Sequence, residues 1–368
     1  MKKNIAILTG TRAEFGILTP VIRALAASKT LRPQLLVTGM HLQKQFGMTV
    51  RDIEASGLPI AARIPMYRPT DASADSLARA TAGIAKALRD LHIDLLLLLG
   101  DRLEMLAGAS AALATHTPIA HLHGGEIAPG TWDEQIRHAI TKMAHLHFCS
   151  TKAAARRIRQ MGEDPAAIHR VGAPALDSMD VGSVAWKRRT EGPILLLLHP
   201  SSPDAALEQR RALLAVRAIG KDHPTTVIGP NNDPGHQGIL LAYAHRQLPV
   251  RMSLRQSDFW ALLSGAALLV GNSSAGILEA ASFGIPVINL GDRQKGRQRN
   301  ANVIDVPWSA GARGIRLALR QALTDPGFRR KAARRKNLYG DGHASRRIVE
   351  VLESVKFPMP TTKSLHDL

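Results

Sequence analysis

The chain holds a single cysteine, Cys149, so no internal disulfide framework can brace it, and a reducing, cytoplasmic setting is expected. Aromatic residues make up only 4% of the sequence, and no zinc-knuckle spacing or aromatic-rich RNA-binding signature occurs, which argues against a dedicated nucleic-acid module. No apolar run approaches the roughly 20 residues needed to span a bilayer, so no membrane partner is expected. The start, Met1-Lys2-Lys3 before an apolar stretch, imitates a secretory signal. Its apolar core is too short, and Arg12 and Glu14 follow at once, so a first β-strand is the better reading. Neither Gly-x-Gly-x-x-Gly nor a Walker loop is present. Acidic residues are also scarce: 30 Asp and Glu face 48 Lys and Arg, giving a formal net charge of +18. Such a surplus attracts phosphates in general. Much of it lies in stretches such as Arg329–Lys336, which read as solvated helix faces, so an anionic small substrate is expected and nucleic acid is not.

What is present is an ordinary globular composition, 45% apolar and 21% charged over 368 residues, enough for two domains with real cores. Apolar runs at 3–9, 34–38, 60–66, 95–99, 118–122, 146–149 and 168–171 read as strands. Helical patterns at 71–92, 133–144 and 152–161 alternate with them. That alternation predicts an α/β fold with a parallel, doubly wound sheet. The pattern lapses between Gly172 and Gly192, where a junction is expected, and resumes with strands at 193–198, 225–228, 266–270 and 285–290. The domains are accordingly 1–174 and 175–342, with a loosely ordered tail at 357–368.

The densest chemistry lies between His121 and His138. Two buried strands ending at Gly100-Asp101-Arg102 and at Gly124-Gly125-Glu126 aim Asp101 and Glu126 at the carboxyl end of a sheet, where open α/β folds place ligands. A Gly/Pro loop then delivers Asp133 to the start of a helix. Asp133/Arg137 and Glu134/His138 stand at i,i+4 spacing and suit pairing on the helix surface. His121-x-His123 places two imidazoles on one strand face, but without a third ligand no metal site is expected. The turn Gly10–Gly16 joins a strand to a helix, and its Arg12 is suited to neutralise a phosphate. The second strand delivers His41 to the same edge. In the second half, Gly271-Asn-Ser-Ser-Ala-Gly276 fails as a serine-hydrolase elbow because Ala275 stands where glycine is needed. It reads instead as a helix start whose Ser273, Ser274 and free N–H groups hold a diphosphate, with Glu279 free for ribose hydroxyls.

Gly100-Asp-Arg, Gly124-Gly-Glu, Ile136-Arg-His-Ala-Ile-Thr-Lys142, Gly271–Gly276 and Gly291-Asp-Arg-Gln-Lys-Gly-Arg297 together resemble the hydrolysing UDP-N-acetylglucosamine 2-epimerases of bacterial sialic-acid pathways. The resemblance implies two Rossmann-like domains in a glycosyltransferase-B-like arrangement with the active site in the cleft, and a C-terminal helix, 343–356, returning to the first domain. It implies conversion of UDP-N-acetylglucosamine and water to N-acetylmannosamine and UDP through a 2-acetamidoglucal, without a cofactor. Asp101, Glu126 and Asp133 match the essential carboxylates, and His199 matches the histidine near the leaving group. Ser273, Ser274, Gly276 and Glu279 match the UDP-binding turn, and Arg12, His41, Arg102 and Asn231 are further nucleotide-contact candidates. The family precedent is a homodimer or homotetramer. Glu14-Phe15 departs from the commoner Asp-Tyr, and the loop Ile127–Trp132 is idiosyncratic. Related enzymes act on GDP-N-acetylglucosamine or on UDP-2,4-diacetamido-trideoxyhexose for legionaminic acid. Nonhydrolysing epimerases and glycosyltransferases share the architecture, since fold does not fix function.

Overall fold

The computed structural model describes residues 2–127, 132–179, 192–252 and 254–367. The chain divides into two compact units, Met1–Ser178 with Tyr339–Leu368, and Met179–Leu338.

The first unit is built on seven parallel strands: β1 (Lys3–Thr9), β2 (Leu31–Val37), β3 (Ile60–Arg63), β4 (Leu95–Leu99), β5 (Ile119–Leu122), β6 (Leu146–Cys149) and β7 (Ile168–Arg170). They lie in the order β3-β2-β1-β4-β5-β6-β7. The direction of winding reverses between β1 and β4, and ligand crevices form at the carboxyl ends flanking such a point. Helices cover both faces, which explains why Leu95–Leu99 is an unbroken apolar run instead of an alternating one. Ile5, Ile7 and Leu97 pack beneath the helix Arg12–Ala27. Ala6, Leu8, Leu96 and Leu98 face the opposite layer, against Ala80, Ile84, Met105 and Ala109.

The last helix, Ala344–Ser354, belongs to this unit, with Ile348 and Leu352 buried in the same core as β1. Its start is capped from far away in sequence, because the Asp177 carboxylate accepts from the N–H groups of Ala344 (2.9 Å) and Ser345 (2.5 Å). The tail beyond it, expected to be loosely ordered, is tied down instead. Lys363 donates to the buried Glu163 carboxylate and to Ala144 O, His366 N–H donates to Gly162 O at 3.0 Å, and Leu365 covers Gly162. A long-range partner for one lysine fixes a segment whose composition alone suggests nothing of the kind.

The second unit is a six-stranded parallel sheet: β8 (Ile194–Leu197), β9 (Thr225–Ile228), β10 (Val250–Arg251), β11 (Leu268–Gly271), β12 (Val287–Leu290) and β13 (Val303–Val306). The order is β10-β9-β8-β11-β12-β13, with the reversal between β8 and β11. Strand pattern misses β10 and β13. β10 is two residues long, and β13, at the sheet edge, buries only Val306 of its four residues. Among the described residues no helix is long and apolar enough to cross a membrane.

Candidate active site

In the first unit, Gly100 turns the chain at the end of β4 with φ +78°, and Asp101 follows. His121 on β5 holds that turn: its Nε2 lies 2.8 Å from Gly100 O, and since a carbonyl only accepts, Nε2 carries the proton. Nδ1 faces Thr141 Oγ1 at 3.1 Å. Burial pushes the His121 pKa down to about 3, so the ring is neutral and serves as a tie between strand ends.

Arg137, on the helix Asp133–Met143, is 5% exposed and joins the two carboxylate-bearing loops. One guanidinium nitrogen donates to the Asp101 carboxylate, and the other donates to Glu126 O at 3.0 Å. The surface pairing of Arg137 with Asp133 suggested by their spacing is therefore replaced by an inward clamp. The other i,i+4 pair, Glu134–His138, does form, at 3.5 Å. Glu126 Oε1 accepts from Ser150 Oγ–H at 2.6 Å and from His123 Nδ1–H at 2.9 Å. Ser150 follows β6 and is 2% exposed, and nothing in the sequence marks it as a partner of Glu126. His123 does not share a strand face with His121, because β5 ends at Leu122 and His123 adopts φ +62° in the turn. That turn needs Gly125, where a Cβ would come within 2.4 Å of Ala154 O. Asp133 opens its helix, half-buried, while residues 128–131 of the idiosyncratic loop lie outside the described residues.

Arg12 is exposed at the first position of its helix and pairs with Asp52 at 3.3 Å. His41, expected to touch the nucleotide, is instead fully buried, with Nε2 3.0 Å from Thr9 Oγ1 and Nδ1 2.8 Å from Thr49 Oγ1. Both ring nitrogens are consumed inside the fold. Arg102 turns toward Glu104, with Nε donating to Oε2 at 3.3 Å.

The second unit gathers a polar set at the carboxyl ends of β8 and β11. Asn272 clamps His199 from both sides: its Oδ1 accepts from His199 N–H (2.7 Å) and its Nδ2 donates to His199 O (2.8 Å). His199 Nδ1 accepts from Asn231 N–H at 3.0 Å, so the proton of the neutral ring resides on Nε2. Burial, with Arg293 adding to it, pushes the His199 pKa down to about 4. The result is a neutral N–H donor beside an arginine. Arg293 and Gln294 both donate to Asn272 O, at 3.4 and 2.9 Å. Arg293 and Asn272 stand in motifs quoted above, which were the available signal for them.

Gly271 brings β11 so close to β8 that a Cβ would lie 1.8 Å from Leu197 O. Ser273 then caps the short helix Ser274–Leu278, its hydroxyl accepting from Ala275 N–H at 3.3 Å, with Ser274 half-buried beside it. Gly276 serves close packing, since a Cβ there would meet Val287 of β12 at 2.9 Å. Glu279 is not free: Trp260 Nε1–H donates to its Oε2 at 2.6 Å, and burial raises its pKa. The tryptophan arrives from the helix Gln256–Gly265, beyond the reach of any local pattern.

A family profile described as UDP-N-acetylglucosamine 2-epimerase matches residues 23–353. A UDP-N,N'-diacetylbacillosamine 2-epimerase (hydrolyzing) of Legionella pneumophila is 36% identical over 96% of this chain and 97% of its own length. A UDP-N-acetylglucosamine 2-epimerase of Neisseria meningitidis is 32% identical over 87% of each chain. In structure, the crystal structure of UDP-GlcNAc 2-epimerase from Neisseria meningitidis bound to UDP-GlcNAc superposes with a TM-score of 0.81 at 18% identity, covering 96% of this chain and 100% of that one. The two parallel-sheet α/β units are thus those of a glycosyltransferase-B-like fold.

Proposed function

Because the chain belongs to the UDP-N-acetylglucosamine 2-epimerase family, we propose that it is a hydrolysing 2-epimerase releasing a free, C2-inverted 2-acetamido sugar and UDP. The observation that carries this reading is the Arg137 clamp. It holds Asp101 and the backbone of Glu126 together at the carboxyl edge of the first sheet, where acid–base groups are needed.

The chemical obstacle is the C2 proton, which has no adjacent carbonyl to stabilise a carbanion. A carboxylate with an ordinary pKa of about 4 is a weak base for it. If cleavage of the C1–O bond leads, oxocarbenium character at C1 acidifies C2–H, and a carboxylate suffices. Departure of UDP is then the step to be stabilised. In the second unit the neutral His199 Nε2–H, Arg293 and the Ser273/Ser274 turn supply donors and charge for a diphosphate. Asp101, Glu126 and Asp133 exchange protons with C2 and with water: loss of the C2 proton gives a 2-acetamidoglucal, and water addition with protonation from the opposite face completes the inversion. Arg12 is a further diphosphate contact. The product is a precursor for sialic-acid-like sugars, and the enzyme works in the cytoplasm as a homo-oligomer.

UDP-N,N'-diacetylbacillosamine is the proposed substrate, supported by the 36% identity over nearly the whole chain against 32% over a shorter span for the N-acetylglucosamine enzyme. The test incubates the protein with that compound, UDP-N-acetylglucosamine and their GDP counterparts, and follows free sugar and nucleotide by NMR. Release of free manno-configured diacetamido sugar and UDP supports the proposal. Return of an intact UDP-sugar epimer marks a nonhydrolysing enzyme, and transfer only to an added acceptor marks a glycosyltransferase; either result overturns it.

A further inference from the structure

The first unit contains a buried pair of carboxyls that the proposed reaction does not use. Glu14, on the helix Arg12–Ala27, is 7% exposed, and Glu104, on the helix Leu103–Ala114, is fully buried. Glu14 Oε2 accepts from the N–H groups of Gly10 (2.9 Å) and Thr11 (3.0 Å), completing a capping box with Thr11. Its Oε1 is buried without a hydrogen bond among the described residues, and Arg102 Nε lies 3.8 Å away. Glu104 Oε1 accepts from Tyr67 O–H at 3.0 Å, and Oε2 accepts from Arg102 Nε–H at 3.3 Å. Two glycines cut the slot for Glu104: a Cβ on Gly10 would lie 2.8 Å from its Cγ, and one on Gly39 would lie 2.5 Å from its Oε1.

Arg102 directly follows Asp101 at the point where the sheet reverses, and its side chain is 38% exposed while its Nε is held by Glu104. With both carboxyls ionised, the Glu14–Glu104–Arg102 group carries a net charge of −1, and with one proton added it is neutral. We infer that Glu14 and Glu104 are positioning residues that hold Arg102 from one side and, through it, set the affinity of this sheet edge for the anionic part of a sugar nucleotide. The inference rests on the functional reading above and adds a pH dependence to it.

Burial, reinforced by the Glu104 charge, raises the Glu14 pKa to about 7 against the opposing pull of the Gly10 N–H and Arg102. The other titratable groups facing the pair are Tyr67 and His41, and Asp52, which bears on His41, is itself paired with Arg12. Burial keeps His41 neutral down to about pH 4 and lifts Tyr67 above its usual range, so neither changes charge between pH 6 and 9. On raising the pH through 7, the extra negative charge at Glu14 disfavours a bound anion.

UDP is the probe, titrated calorimetrically at pH 6 and 8.5 into the native protein and Glu14→Gln. Glutamine preserves the capping-box acceptor while fixing the neutral state, so the comparison isolates charge from fold. The two proteins should match at pH 6, and Glu14→Gln should bind UDP roughly fivefold tighter at pH 8.5. Carbon-13 carboxyl NMR of the native protein should show a carboxyl titrating above pH 6 that is lost in Glu14→Gln and moved downward in Glu104→Gln. Equal pH dependence of UDP affinity in both proteins, or no carboxyl above pH 6 whose signal Glu14→Gln removes, overturns the inference while leaving the epimerase reading intact. Failure of both proteins to bind UDP at either pH overturns the functional reading and the inference with it.

Discussion

Arg137 donates to the Asp101 carboxylate with one guanidinium nitrogen and to the Glu126 backbone oxygen with the other, so a single buried side chain sets the spacing of two carboxylate-bearing loops. Replacing it with methionine leaves Asp101 without its cation and should cost about 2–4 kcal/mol of stability. Arg137→Lys keeps the charge but loses the forked geometry, so it should retain most of the stability and lose most of the turnover. Urea unfolding and initial-rate measurements on both variants check this. Native-like turnover in Arg137→Lys would show that the fork has no part in placing the carboxylates.

Acid should destabilise the protein before its carboxylates neutralise. Burial holds His41, His121 and His199 to pKa values of about 4, 3 and 4, whereas in the unfolded chain each returns to about 6.5. Between pH 6.5 and 4.5 the unfolded chain therefore binds protons that the native state refuses, and stability falls as the pH falls. Glu14, raised to about 7, acts in the opposite sense over the same window, since the native state keeps a proton the unfolded carboxylate has lost, and Glu279, which burial also raises, acts in the same direction as Glu14. Burial lowers His145, His147 and His169 as well, which steepens the trend. A net uptake of protons on unfolding, about 1.4 kcal/mol per pH unit for each proton, should appear as a falling urea midpoint from pH 6.5 to 5.5. A flat or rising midpoint would refute it.

Gly271→Ala tests the contact between β11 and β8. A Cβ 1.8 Å from Leu197 O forces the turn before Ser273 to move. The variant should lose about 3 kcal/mol or more and bind UDP more weakly. Gly265→Ala, in the same unit with nothing within 4 Å of the added Cβ, should change neither. Similar stability for the two variants would show that the close approach is not a constraint.

The C-terminal strap should contribute to the first unit. Against burial, which alone would raise it, hydrogen bonds from His147, Lys142 and Lys363 hold Glu163 at a pKa of about 2. Lys363→Met leaves the other two partners in place and should cost about 1–2 kcal/mol while leaving UDP affinity unchanged. Limited proteolysis should then cleave the tail faster. An unchanged cleavage rate would contradict the anchoring.

The parts of this molecule legible in sequence are those written locally. The run Leu95–Leu99 ending in Gly-Asp, the Gly124-Gly125 turn before Glu126 and the Gly271-Asn-Ser-Ser start are each set within a few residues, and pattern finds them. What pattern misses is through-space. Ser150 reaches Glu126 from the end of β6, Trp260 occupies Glu279 from another helix, and Asp177 caps a helix beginning at Ala344. Arg137 shows the same limit within one helix: its i,i+4 spacing from Asp133 invites a surface pair, but a half-buried carboxylate from another loop outcompetes it. His41 likewise follows a strand at the ligand-bearing edge, which suggests a nucleotide contact, and is consumed by two threonines.

Hydrogen exchange at C2 of the sugar distinguishes the proposed chemistry from simple hydrolysis of a sugar nucleotide. The protein would be incubated in deuterated water with UDP-N,N'-diacetylbacillosamine, or with UDP-N-acetylglucosamine if that is the compound it turns over, and the released sugar examined by proton NMR. Elimination to a glycal followed by water addition should give free manno-configured sugar carrying one deuterium at C2, with Asp101→Asn and Glu126→Gln abolishing the incorporation while UDP still binds. Released gluco-configured sugar that retains its C2 proton would contradict the account.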